Sequence, residues 1–222
     1  MRGLFVTFEG IEGAGKSTQM TSLAQSLRQR SYDVCVTREP GGSPAAEALR
    51  YILLSSMAEK DFGPDMEAIL FAAARHDHVE TIIRPAILSG KIVLCDRFID
   101  STYAYQIKEE LNNRQFVTAL QELAVEDMLP DCTIILDLPA DVGLERVARR
   151  QKAQGKENTP LDRFEKEYIA VHEQRRQSFL KIAQDNPCRC YPVDSTKNCE
   201  YIAEQILKIV ETCLLKRGES TV

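Results

Sequence analysis

The chain has little of what would make it a membrane, secreted or nucleic-acid-binding protein. No apolar run approaches the roughly 20 residues of a membrane span. No apolar leader precedes the strand-like run at Leu4, so a cytoplasmic location is expected, with no membrane partner. Basic blocks and aromatic-interleaved basic patches are absent and the formal charge is −5, which argues against broad nucleic-acid binding. Repeats and low-complexity linkers are missing, and 222 residues suit a single domain, 1–222. Histidines number three, and His76, His78 and His172 all read as surface residues with no nucleophile paired to them.

What is present is a soluble-type composition, 44% hydrophobic and 27% charged, with enough length to bury a sizeable core. The cysteine count is odd, at seven, and Cys35, Cys95 and Cys132 sit in apolar runs, as reduced and mostly buried thiols would. Cys188 and Cys190 form the one close pair. Strand alternation would put both on one face, but zinc needs more ligands than that, so packing is the reading.

Apolar strand candidates at Leu4–Phe8, Val34–Thr37, Ile92–Cys95, Thr133–Leu138 and Cys190–Val193 alternate with helical stretches. Met66, Ile69, Leu70 and Ala73 mark one helical face, which Val79, Ile82, Ile83 and Ala86 continue past a kink or restart at Pro85. Ile202, Ile206, Ile209, Val210 and Cys213 mark a last amphipathic helix, and the polar tail from Lys216 is expected to fray. The alternation predicts a parallel sheet with helices on both faces.

Between the first strand and the first helix lie Gly10, Ile11, Glu12, Gly13, Ala14, Gly15, Lys16 and Ser17, followed by Thr18. A glycine loop ending in Lys-Ser between strand and helix is a nucleotide-triphosphate site. Glycines let backbone N–H groups curl around phosphate oxygens. The helix N-terminus adds about half a positive charge. Lys16 then reaches the terminal phosphates and Ser17 can ligate magnesium.

Asp96 and Arg97 end the third apolar strand, where ligands of open parallel sheets lie. Asp96 can share the magnesium shell and Arg97 can fork onto a phosphate; the bland alternative is an ion pair between neighbours. Thr37-Arg38-Glu39-Pro40-Gly41-Gly42 forms a turn at a second strand end. Phe71 and Arg75 are four apart and share a helix face, suited to stacking on a base and donating to its carbonyl, or to a core ring beside a surface arginine. Ser101, Thr102, Tyr105 and Gln106 offer hydrogen-bonding groups, or a helix start capped by Asp100 or Ser101. Arg146, Arg149 and Arg150 precede a polar stretch, Gln151 to Pro160, then Asp162-Arg163. The reading is a mobile cationic lid at about 143–162.

Taken in order, FEGIEGAGKST, TREPGG, LFAAAR, the DRF–ST–AYQ stretch and the VDST turn resemble the bacterial-type thymidylate kinases over nearly the whole chain. The resemblance implies an α/β P-loop nucleoside monophosphate kinase fold, a five-stranded parallel sheet of order 2-3-1-4-5. It implies transfer of the ATP γ-phosphate to dTMP for dTTP synthesis, with Mg2+ and a homodimer. Glu12 resembles the acid that meets the sugar 3′-hydroxyl. Phe71 resembles the ring stacked on thymine, and Arg75 the donor to its carbonyl. Arg97 resembles the acceptor-phosphate clamp, assisted by Arg50. Ser101, Thr102, Tyr105 and Gln106 match the base and sugar pocket, which Glu39 and Pro40 shape. The turn after Val193 resembles the wall under adenine. The loop carries no arginine, so Arg149 and Arg150, with Arg146 behind them, are the catalytic candidates. Phe98 and Ser43 depart from the family's usual residues, and the stretch from Gln151 to Leu161 exceeds its compact lid.

Two other readings stay open. One is a kinase for another nucleoside monophosphate or small metabolite. The other is a non-catalytic, ATP-dependent binding module. A GTPase switch is disfavoured, since the chain has no Asn-Lys-x-Asp element.

Overall fold

The computed structural model describes residues 2–55, 63–107, 113–155 and 168–219. The last part of the expected lid, Asp162-Arg163 and the final three residues lie outside them. Five parallel strands form one sheet in the order β2-β3-β1-β4-β5. They are β1 (Leu4–Glu9), β2 (Val34–Arg38), β3 (Ile92–Asp96), β4 (Cys132–Asp137) and β5 (Cys190–Asp194). The order is the one the resemblance implied. β1 lies at the centre, with Phe8 opposite Asp96 of β3 and Ile134 of β4. This register places the phosphate loop and the Asp96-Arg97 pair side by side at the carboxyl ends of the strands.

Helices cover both faces. On one face Leu4, Val6 and Phe8 pack with Leu23 and Leu27 of α1 (Lys16–Gln29), and with Ile202, Ile206 and Val210 of the last helix. On the other, Phe5, Val93 and Cys95 pack with Val79, Ile83 and Ile87. Full burial of each such side chain contributes about 1.5–3 kcal/mol.

α2 spans Pro44–Leu54, capped by Ser43, whose Oγ accepts from Ala46 N. α3 spans Pro64–His78 and runs through a π-helical turn, Val79–Ile83, into α4, Arg84–Leu88. The helix restarts at Arg84 with Pro85 in its first turn, where a missing N–H is tolerated, and a π-turn joins it to α3. The apolar stripe read on α3 faces outward. Met66 and Ile69 are 45% and 42% exposed, whereas Ala68, Ala72, Ala74 and Arg75 are buried. Small side chains at Ala68, Ala72 and Ala74 let α3 lie close to its neighbours, around the buried Arg75 and His78.

α5 (Ile99–Gln106) has no side-chain cap, contrary to the reading of Asp100 or Ser101. Asp100 is buried inside it and pairs with Arg189, at 2.7 Å. The remaining helices are α6 (Arg114–Val125), α7 (Ala140–Ala153), α8 (Ile169–Asp185) and α9 (Cys199–Glu219). α9 continues past the Lys216 where fraying was expected, and Arg217 is anchored on Asp131. All seven cysteines are free; Cys190 is buried on β5 while Cys188 is exposed before it, so the two share no strand face.

Candidate active site

Glycine gives the loop its shape. Gly10, Gly13 and Gly15 have φ of 134°, 77° and 94°, in the region other residues avoid. At Gly13 the contact is also too close for a side chain, since a Cβ would lie 2.1 Å from the carbonyl oxygen of Gly143 on α7. Loop and helix are therefore in backbone contact. Lys16 donates from Nζ to the carbonyls of Gly10 (2.9 Å) and Ile11 (3.0 Å), which leaves one of its three N–H groups for a ligand. Burial pulls the Lys16 ammonium down from its ordinary 10.5 to about 8. Ser195, after β5, donates to Ala14 O at 2.5 Å, tying the VDST turn to the loop.

Two cavities open on this loop. One, of about 280 Å³, lies toward β2 and β3, and the other, of about 350 Å³, lies toward β5 and α9. The first is lined by Glu12, Glu39, Pro40, Arg50, Phe71, Arg75, Asp96, Arg97, Ser101, Thr102, Tyr105 and Gln106, all singled out in the sequence. The second is lined by Ala14, Gly15, Thr18, Arg146 and Ser195, together with Gln19, Lys197 and Cys199. Gly13, Lys16, Ser17 and Arg150 line both. Gly10, Ile11 and Arg149 line neither: Gly10 O is a hydrogen-bond acceptor, Ile11 is a core residue, and Arg149 is 75% exposed and pairs with Glu145 at 2.6 Å.

Arg97 lies just past β3 with φ of 69°, a strained backbone that swings its side chain over the loop. It donates to Gly10 O (3.1 Å), Ser101 Oγ (3.1 Å) and Glu12 Oε1 (2.9 Å). Glu12 Oε1 also accepts from the Tyr105 hydroxyl at 2.7 Å. Burial would raise the Glu12 carboxyl, but Arg97, His172, Lys16 and Tyr105 outweigh it and hold the group well below the usual carboxylate range. Behind the loop Glu9 accepts from Phe98 N and from the backbone and hydroxyl of Ser101, and burial pushes its carboxyl up to about 7.

Arg75 is 2% exposed, which overturns the surface-arginine alternative. It donates to Glu39 Oε2 (2.7 Å), to Thr102 Oγ1 (3.0 Å) and to Gln121. His78 is buried too, between Glu39 (3.0 Å) and Thr37 (2.7 Å), and His172 is buried against Glu12; only His76 is at the surface. Both histidines were misread because their partners are distant in sequence. Arg38, Gln19, Lys197 and Cys199 were missed as lining residues, although Arg38 lies in the Thr37–Gly42 turn and Lys197 next to the VDST turn.

Ser17 Oγ donates to Asp96 Oδ2 at 3.1 Å, and Asp96 Oδ1 is buried with no partner among the described residues. A hydroxyl and a carboxylate with a spare oxygen suit a hard cation that keeps its other ligands from phosphate and water.

Residues 8–206 match the family model described as thymidylate kinase. The chain is 47% identical to the thymidylate kinase of Bartonella quintana (strain Toulouse), over 97% of this chain and 98% of that protein. It is 46% identical to that of Bartonella henselae, with the same coverage. Its structure superposes on the crystal structure of thymidylate kinase from Ehrlichia chaffeensis with a TM-score of 0.72, at 30% identity, covering 95% of this chain and 99% of that one.

Proposed function

The chain belongs to the thymidylate kinase family, whose members phosphorylate dTMP with ATP, and from that premise we propose how its residues divide the work. The observation that carries the proposal is the junction of the two cavities. The residues common to both are Gly13, Lys16, Ser17 and Arg150, a glycine contact, two phosphate-directed groups and a cation. A phosphoryl group passing from a donor in one cavity to an acceptor in the other crosses there.

dTMP occupies the cavity of Phe71, Arg75 and Arg97. Phe71 stacks on thymine, and Arg75, held rigid by Glu39, donates to a base carbonyl. Arg97 and Arg50 hold the acceptor phosphate, and Glu12 accepts from the 3′-hydroxyl. Ser101, Thr102, Tyr105 and Gln106 complete the wall, with Pro40 shaping it. ATP lies along the loop from Gly10 to Thr18, its adenine toward Ser195. The acceptor oxygen is already anionic and attacks the γ-phosphorus without a general base, as ADP leaves. Lys16, Arg97 and Arg150 offset the charge that spreads over the transferred group. Thymidylate kinases use ATP with Mg2+; Ser17 and Asp96 would hold the ion, which neutralises phosphate charge when bound.

Arg150 is assigned the catalytic role and Arg149 is not, because only Arg150 reaches the junction. Arg150→Ala should lower kcat on the order of 10³–10⁵, with Arg149→Ala within about threefold of the parent. Steady-state ADP release measures both, and the reverse ranking would overturn the assignment.

The enzyme is further proposed to be a single cytoplasmic domain that pairs as a homodimer. No described helix is long and apolar enough to cross a membrane, and seven free thiols fit a reducing compartment. α2, α3 and α6 pack side by side and expose Tyr51, Ile52, Met66, Ile69, Phe116 and Leu123. Exposed apolar side chains on three adjacent helices are the kind of surface a partner subunit covers.

A further inference from the structure

We propose that His172 is a positioning residue for sugar recognition, fixing the buried oxygen of Glu12 so that selection of the acceptor's 3′-hydroxyl depends on α8. The inference rests on Glu12 as the sugar-reading carboxylate.

The two oxygens of Glu12 are not equivalent. Oε1 takes two donors, Arg97 Nη2 at 2.9 Å and the Tyr105 hydroxyl at 2.7 Å. Oε2 is buried with no hydrogen bond among the described residues, and His172 Nδ1 faces it at 3.3 Å. Oε2 is closed off, so an incoming hydroxyl would donate to Oε1, on the side of Arg97 and Tyr105. The rotation of the carboxylate, and with it the direction in which Oε1 points, is then set by the imidazole behind Oε2.

His172 does not behave as a packing histidine. It is 1% exposed, yet its Nε2 has no partner among the described residues. His78, equally buried, uses both ring nitrogens, on Glu39 and Thr37. Burying an imidazole with one nitrogen unsatisfied costs free energy, and the contact it makes in return is with Glu12. One turn along α8, the Arg175 guanidinium sits 4.1 Å from the centre of the Tyr105 ring. Tyr105 in turn donates to Glu12. α8 therefore reaches the same carboxylate by two routes, once directly and once through Tyr105.

A hydrogen bond to a charged group is worth about one to two powers of ten in affinity, and a site built to bond a hydroxyl rejects the analogue without it. The test compares kcat/KM for dTMP and for 3′-deoxy-dTMP. His172→Phe keeps the ring volume and removes the polar Nδ1. It should lower the preference for dTMP about tenfold, with the 3′-deoxy acceptor and the KM for ATP within about threefold. His172→Asn, whose amide nitrogen takes the place of Nδ1, should restore the preference to within about threefold, and His172→Gln should not. If the phenylalanine variant fails to fold, the asparagine and glutamine pair decides. An equal loss for both acceptors, or an unchanged preference, overturns the proposal while Glu12→Gln still abolishes the preference. A Glu12→Gln enzyme that keeps the preference overturns the reading of Glu12 itself.

Discussion

Lys16 shows how much one side chain owes to its surroundings. It is buried beside Arg97, and burial first, then that like charge, lower its ordinary value of 10.5 to about 8. A bound triphosphate outweighs both effects by supplying negative charge. ATP binding near pH 8.5 should therefore take up protons, and affinity should fall as pH rises through about 8, as the free enzyme loses the ammonium. Titration calorimetry in buffers of different ionisation enthalpy measures the uptake, and binding without it would contradict the assignment. Lys16 and Arg97 were legible in the sequence because the loop and the strand end that present them are local. His78 and His172 were not, since their carboxylates, Glu39 and Glu12, come from other elements. Arg149 and Arg150 were indistinguishable as text. Adjacent helical residues point about 100° apart, and here that separates a solvent-facing pair with Glu145 from the cavity junction.

Among elements, the contact between the phosphate loop and α7 governs the site. A Cβ on Gly143 would lie 2.6 Å from Glu12 O, so α7 can approach the loop only as glycine. α7 also carries Arg146 and Arg150. Gly143→Ala should force the two apart, cost about 1–3 kcal/mol, lower Tm by several degrees and raise the KM for ATP. Unchanged Tm and KM would mean that the contact relaxes freely. The central strands β1, β3 and β4 were readable as apolar runs because strands buried on both faces show no alternation. Their ends shifted by a residue, as pairing partners rather than composition decide where a ladder stops. On α3 the apolar face read in the sequence leaves Met66 and Ile69 outside, while Ala68, Ala72 and Ala74 pack inward.

For the whole molecule, that outward stripe leads to an assembly prediction. Sedimentation equilibrium should give a dimer for the parent enzyme, and Met66→Glu with Ile69→Glu should give folded monomers. A monomeric parent, or a variant that still dimerises, would remove α3 from the interface. Strand order followed from the family resemblance, and the meeting of two cavities at Arg150 came from three dimensions alone. The chemistry of the whole chain is tested most directly by ADP release with ATP and a panel of dTMP, dUMP, UMP, CMP, AMP and GMP. The pocket of Phe71, Arg75 and Glu12 predicts the highest kcat/KM with dTMP, and a higher value with any other acceptor would contradict it.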